Sequence, residues 1–161
     1  MKILFVCTAN TCRSAVAETL GKRIVELNKD LYGDFEISSA GSYCEKDAAA
    51  DAMAITVARE RGCDLSEFKA RQVTKEMVQE ADYIFAMGNS HKLYLYVIAP
   101  EAQKKIFLLS EYETDADWER YPDIEDPSGG NKEAYEKCFD RLEEALNTIF
   151  AKIRKLNGAL H

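Results

Sequence analysis

The chain has 161 residues, 47% hydrophobic and 30% charged, which is the composition of an ordinary globular protein and the length of one domain, 1–161. Against 21 Lys and Arg stand 28 Asp and Glu, a formal charge of −7 that disfavours nucleic acid and acidic membranes as partners. No apolar stretch approaches the ~20 residues of a membrane span and no signal peptide is evident, so a cytoplasmic protein is expected.

The first element, residues 2–6 (Lys-Ile-Leu-Phe-Val), is an apolar run of strand formers long enough for one buried strand. Residues 15–28 read as a helix, with Val16, Leu20, Ile24 and Leu27 on one stripe. A turn containing Gly33 follows, then an alternating strand at 35–39 that ends in Ala40-Gly41-Ser42. The Ala-rich segment 47–61, closed by Gly62, predicts a second helix with a glycine C-cap. Residues 64–72 read as a loop, and Thr74 is placed to cap a short helix through Gln79. The continuous apolar run 83–87 predicts a central parallel strand. Asn89 is the expected cap of a helix over 90–98 that Pro100 stops. A last strand is read at 106–109, a long acidic loop over 110–130, and a final helix over 132–155. That helix carries Ala134, Cys138, Leu142, Ala145, Ile149 and Ile153 on one stripe. Strands alternating with helices imply an α/β fold, a parallel sheet with right-handed crossovers and helices on both faces.

The stretch between the first strand and the first helix, Cys7-Thr8-Ala9-Asn10-Thr11-Cys12-Arg13-Ser14, organises the rest. A tight loop running from a strand into a helix N-terminus aims successive backbone N–H groups at an anion, and the helix adds about half a positive charge. A cysteine there sees a field that favours the thiolate. Arg13 can fold over the same hollow and hold a phosphate through two parallel hydrogen bonds. Ser14 can offer its hydroxyl to the sulfur, and Asn10 suits a left-handed turn. Ligands in such sheets sit at the carboxyl ends of strands, where Cys7 falls.

At these residues the chain resembles the low-molecular-weight protein tyrosine phosphatase family, whose signature is C-x-G-N-x-C-R-S. The resemblance continues through Ser39-Ala40-Gly41, Ala70-Arg71-Gln72-Val73-Thr74, Ala81-Asp82-Tyr83-Ile84 and Asp126-Pro127, over nearly the whole chain and in the family's order. It implies a four-stranded sheet of order 2-1-3-4 with the phosphate-binding loop after the first strand. It also implies a phosphatase in which Cys7 attacks phosphorus to form a thiophosphate, and Arg13 with the N–H groups of residues 8–13 holds the phosphoryl oxygens. Asp126 would protonate the leaving group and then activate water. Asp115, Asp117, Asp123 and Glu125 lie close by, and spacing alone does not select Asp126. Ser39 would brace the loop. Cys12 is either within reach of Cys7 for a protective disulfide or a filler. The substrate-binding set is then Thr8, Ala9, Asn10, Thr11, Cys12 and Ser14.

Three positions depart from the family pattern. Ala9 replaces a glycine, and Phe68 stands about where many members carry a histidine that supports the loop. Thr11 stands where tyrosine-directed members have an aliphatic residue, and Ser128-Gly129-Gly130 follows Asp-Pro in place of aromatics. In this last respect the chain looks like the protein-arginine-phosphatase branch, so phosphoarginine is the expected substrate and phosphotyrosine the alternative. Two other classes compete. Arsenate reductases share the loop but need further cysteines after the third strand, and residues 87–100 contain none. Phosphocarrier or phosphate-binding modules need neither Arg13 nor Asp126. None of the five cysteines is spaced as a zinc site, and no metal or cofactor is expected. Cys44, Cys63 and Cys138 read as packing residues, and His91 as a surface residue of its helix. Trp118 and Tyr121 read as side chains that pin the acidic loop, and His161 fits no catalytic pattern. The protein partner is a phosphorylated side chain, and the enzyme is expected to be a monomer.

Overall fold

A computed structural model describes residues 1–114 and 123–158. Four parallel strands form one sheet in the order β2-β1-β3-β4: β1 Lys2–Cys7, β2 Glu36–Gly41, β3 Tyr83–Ala86 and β4 Ile106–Leu108. Strand side chains alternate between faces, so the sheet serves two cores. Ile3, Phe5 and Cys7 point to the side of helices α1 (Arg13–Leu27), α3 (Ala52–Glu60) and α7 (Lys132–Gly158). Leu4 and Val6 face the other side, with Val78 of α4 (Lys75–Glu80) and Leu95 of α5 (Asn89–Ile98). The last helix buries Cys138, Leu142, Ala145, Ile149 and Ile153 at the expected helical spacing. Tyr135, Phe139, Leu146 and Phe150 widen that stripe, and the Phe150 ring meets Phe35 edge-on at 5.4 Å.

Thr74 caps α4 as expected, accepting from Met77 N–H at 3.2 Å. Gly62, just beyond α3, takes the left-handed conformation (φ 76°) that its cap position favours.

Several boundaries differ, each because a tertiary contact outweighs local preference. The second long helix begins at Ala52, not at residue 47. Asp47 is left-handed (φ 62°), and Ala49 pairs antiparallel with Lys69, drawing the alanines into an extended bridge. The expected turn after α1 holds one helical turn, α2 (Lys29–Tyr32). Asn89 is the first residue of α5 and not its cap; its N–H donates to Asp123 Oδ1 at 2.8 Å, so a distant carboxylate terminates the helix. The acidic loop opens with a short helix, α6 (Leu109–Thr114), because Leu109 and Tyr112 are buried, with Tyr112 against Phe107 at 4.8 Å and Phe85 at 5.1 Å. Asp115, Asp117, Trp118, Tyr121 and His161 lie outside the described residues. Among the described residues no helix is long and apolar enough to cross a membrane.

Candidate active site

The central strand β1 ends at Cys7, and the chain turns through residues 8–12 into α1. Cys7 pairs in register with Gly41, so the loop leaves the sheet against the end of β2. The fit is close: a Cβ on Gly41 would stand 2.4 Å from the Thr8 carbonyl oxygen. Ser42 and Tyr43 N–H donate to the Cys7 and Thr8 carbonyls at 2.8 and 3.0 Å. With those carbonyls engaged by the end of β2, the N–H groups of residues 8–13 make no loop or turn bond to a backbone carbonyl among the described residues, which leaves them available to an anion.

Asn10 is the pivot. It is fully buried in the left-handed conformation (φ 56°). Its Nδ2 donates to Ser14 Oγ at 2.8 Å and Ser39 Oγ at 3.0 Å, and its Oδ1 accepts from Arg71 N–H at 3.0 Å. Ser39 in turn donates to Glu18, and Arg71 Nε donates to the Ser39 carbonyl at 2.8 Å. Phe68 packs against the core, and Arg71 with Glu18 supports the loop through Asn10 and Ser39. Ala9 is exposed and does not have a positive φ, so the loop accepts its Cβ.

Around this hollow the structure gathers the reactive groups. Cys7 Sγ, buried, lies 2.8 Å from Ser14 Oγ, whose hydroxyl can donate to a thiolate. Arg13 Nη1 donates to the Ile124 carbonyl at 3.1 Å, and its Nη2 lies 3.5 Å from Asp126 Oδ2. The Asp126 segment is itself tied to the end of β3, since Ile124 N–H donates to the Met87 carbonyl at 2.8 Å. Among the described acids of that segment, Asp123 is engaged on α5, while Asp126, itself half-exposed, reaches Arg13. Burial pushes the Asp126 carboxyl up, but hydrogen bonds from Ser128 and the charge of Arg13 together hold it below the usual carboxylate range.

Thr11 is half-buried, and its carbonyl accepts from Asp51 N–H at 2.9 Å. Asp51 Oδ2 also accepts from Ser128 Oγ at 3.1 Å and Tyr135 Oη at 3.2 Å. Burial first, and then Asp51, push the Tyr135 phenol up to about 12, so it remains a donor. All five cysteines are free. Cys12 is buried; its hydrogen bond with the Cys138 thiol and its burial raise its pKa, keeping it protonated. Among the described residues no group of His, Cys, Asp or Glu is placed to hold a metal ion.

His91 corrects the sequence expectation. It is 3% exposed, and its Nε2 lies 2.7 Å from Thr8 Oγ1. Burial and the Arg13 charge lower its pKa to about 4, against the opposing pull of Asp123 and Asp126. A lone histidine on a helix carries no sequence signal that it will reach back to residue 8. The long-range contacts of Arg71, Asp51 and Asp123 carry no local sequence signal either.

A strand-to-helix anion loop holding a cysteine, a buried arginine and a facing carboxylate has the composition of a cysteine-dependent phosphatase site. Residues 2–158 match the family described as low molecular weight phosphotyrosine protein phosphatase, and the chain belongs to that family. A protein-arginine-phosphatase of Geobacillus stearothermophilus is 35% identical over 153 residues, covering 95% of this chain and 96% of that one. The low molecular weight protein-tyrosine-phosphatase Etp of Escherichia coli (strain K12) is 35% identical over 143 residues, covering 89% and 88%. A solved structure of a YwlE arginine phosphatase mutant with a phosphorylated active-site serine superposes with a TM-score of 0.88 at 32% identity, covering 96% of this chain and 97% of that one.

Proposed function

We propose that the chain hydrolyses phosphoarginine in proteins, with Cys7 as nucleophile, Arg13 as phosphoryl clamp and Asp126 as acid and base. Cys7 Sγ attacks phosphorus as the P–N bond breaks, and Asp126 delivers a proton to the departing guanidine nitrogen. The loop N–H groups and Arg13 balance the charge on the phosphoryl oxygens. Asp126, now ionised, takes a proton from water as that water attacks phosphorus and frees the Cys7 thiolate and inorganic phosphate. A carboxyl held low in the free enzyme is ionised near neutrality and has no proton to give. A phosphoryl dianion seated on Arg13 offsets that cation and adds its own negative charge, raising the proton affinity of Asp126. Binding of substrate therefore arms the acid, and kcat should fall as pH rises through the Asp126 pKa of the complex, while kcat/KM follows the lower pKa of the free enzyme.

The observation that carries the reading is the 3.5 Å approach of Asp126 to Arg13 beside Cys7. Arginine preference is supported by Thr11 at the loop and Ser128-Gly129-Gly130 after Pro127, where aromatic walls would serve a phenyl ring. The Geobacillus relative, named a protein-arginine-phosphatase, supports it too. A second reading, phosphotyrosine, is favoured by the Escherichia coli relative of equal identity. In this proposal the enzyme is one cytoplasmic domain working as a monomer in a reducing compartment, where Cys7 stays unoxidised. The deciding experiment is kcat/KM on phosphoarginine against phosphotyrosine peptides for wild type and Thr11→Ile. Preference for phosphoarginine that Thr11→Ile erodes supports the assignment; preference for phosphotyrosine in the wild type overturns it.

A further inference from the structure

His91 sits in the first turn of α5, between exposed Ser90 and a helix face bearing Leu93 at 56% exposure, yet its ring is buried. The ring passes beside Gly88, where a Cβ would stand 3.3 Å from His91 Nδ1 and 2.8 Å from Asp123 Oδ2. Any other residue at 88 would crowd the space the imidazole and the carboxylate share. Nε2 reaches Thr8 Oγ1 at 2.7 Å, and Nδ1 is buried without a hydrogen-bond partner among the described residues. The charges facing the ring are Arg13 from α1 and Asp123 and Asp126 from the acid segment.

A neutral imidazole carries one N–H and one bare nitrogen. A buried N–H with no acceptor is rarer in proteins than an under-used acceptor, so the proton is assigned to Nε2 and the bare nitrogen to Nδ1. The Arg13 cation also favours a lone pair over a further positive charge on this ring. Thr8 Oγ1 then accepts from Nε2–H. Its own proton and its second lone pair remain, and the threonine is exposed at the mouth of the phosphate loop.

We propose that His91 is a positioning residue that turns the Thr8 hydroxyl toward the substrate, making the Thr8–His91 pair a determinant of selectivity for phosphoarginine over aryl phosphates. The inference rests on the arginine reading given above. The hydroxyl proton donates to a phosphoryl oxygen, and the remaining lone pair accepts from a guanidinium N–H. An aryl phosphate has no N–H to meet that lone pair, so part of the pair's contribution is lost on it. A ring that stays neutral over the working range holds this arrangement unchanged with pH.

The test measures kcat/KM on phosphoarginine and phosphotyrosine peptides for wild type, Thr8→Val, His91→Leu, His91→Gln and the double variant Thr8→Val/His91→Leu. One lost hydrogen bond lowers the arginine-to-tyrosine ratio about tenfold in Thr8→Val and in His91→Leu. His91→Gln, whose amide N–H can occupy the place of Nε2–H, recovers most of the ratio. The double variant falls no further than either single one, since both act through one hydroxyl. Nitrogen-15 shifts of the His91 ring read the tautomer directly, with the proton on Nε2 expected. Thr8→Val, at an exposed site, tests the idea even if His91→Leu fails to fold. An unchanged ratio in Thr8→Val, or a proton on Nδ1, overturns the inference while leaving the arginine assignment intact. A wild type that prefers phosphotyrosine overturns both.

Discussion

Replacing Asn10 by alanine removes the pivot of the phosphate loop. The side chain makes three hydrogen bonds, two buried ones to Ser14 and Ser39 and a part-buried one from Arg71 N–H. Each is worth about 1 kcal/mol net, and the Arg71 N–H would be left without its acceptor. The residue is also left-handed at φ 56°, where alanine costs roughly 1 kcal/mol more than a residue suited to that region. Asn10→Ala should therefore destabilise the protein by about 4 kcal/mol, a large part of the ~5–15 kcal/mol that holds a domain together. Urea unfolding followed by intrinsic fluorescence measures the loss, and steady-state turnover in the same samples measures the loop. Asn10→Gly separates the two causes, because glycine loses the bonds but not the conformational freedom, and it should recover roughly 1 kcal/mol over alanine. Asn10→Asp should keep the bond from Arg71 N–H and lose the two donations. A loss below about 1 kcal/mol in Asn10→Ala with turnover preserved would refute the view that this side chain sets the loop.

Cys7→Ser should abolish turnover while the fold and phosphate binding persist, as read by activity, circular dichroism and phosphate titration calorimetry; a tenth of wild-type activity would move the nucleophile elsewhere. Asp126→Ala should slow poor leaving groups by roughly 10²–10⁴ and good ones far less, with equal losses on both pointing to another acid. His91 should leave a mark on stability against pH. Its pKa of about 4 lies below the ordinary 6.5, so between those values the unfolded chain binds the proton that the folded chain refuses. The His91 contribution to stability should fall away as pH drops from 6.5 and level off below 4, by about 3 kcal/mol in all, and His91→Gln should remove that part of the limb in pH-dependent urea titrations.

The strand, loop and helix around Cys7 were legible because their parts are contiguous. Cys7, Asn10, Arg13 and Ser14 lie within one turn of chain, and the strand before them and the helix after are each marked by periodicity. The sheet order and the choice of Asp126 among neighbouring acids came from family resemblance, since neither is a local property. What stayed hidden is what acts at long range. Thr8 meets His91 across 83 residues, Asn10 meets Arg71 across 61, and Asn89 takes its cap from Asp123 across 34. The Ala-rich stretch before α3 was misread because helix propensity is a weak preference beside an inter-segment bridge.

Asp51 joins three segments that the chain keeps far apart. Its N–H holds the Thr11 carbonyl, and its carboxylate holds Ser128, whose own N–H holds Asp126, and the phenol of Tyr135 on α7. The loop after β1 and the turn that carries Asp126 are therefore coupled through one side chain. A ligand that tightens the loop around phosphate biases the acid turn toward its bonded position, and by reciprocity any contact that orders the turn strengthens phosphate binding by the same factor. A protein substrate lying across the acid turn would thus improve its own phosphoryl affinity from outside the pocket, a bonus that a free phosphorylated amino acid does not receive.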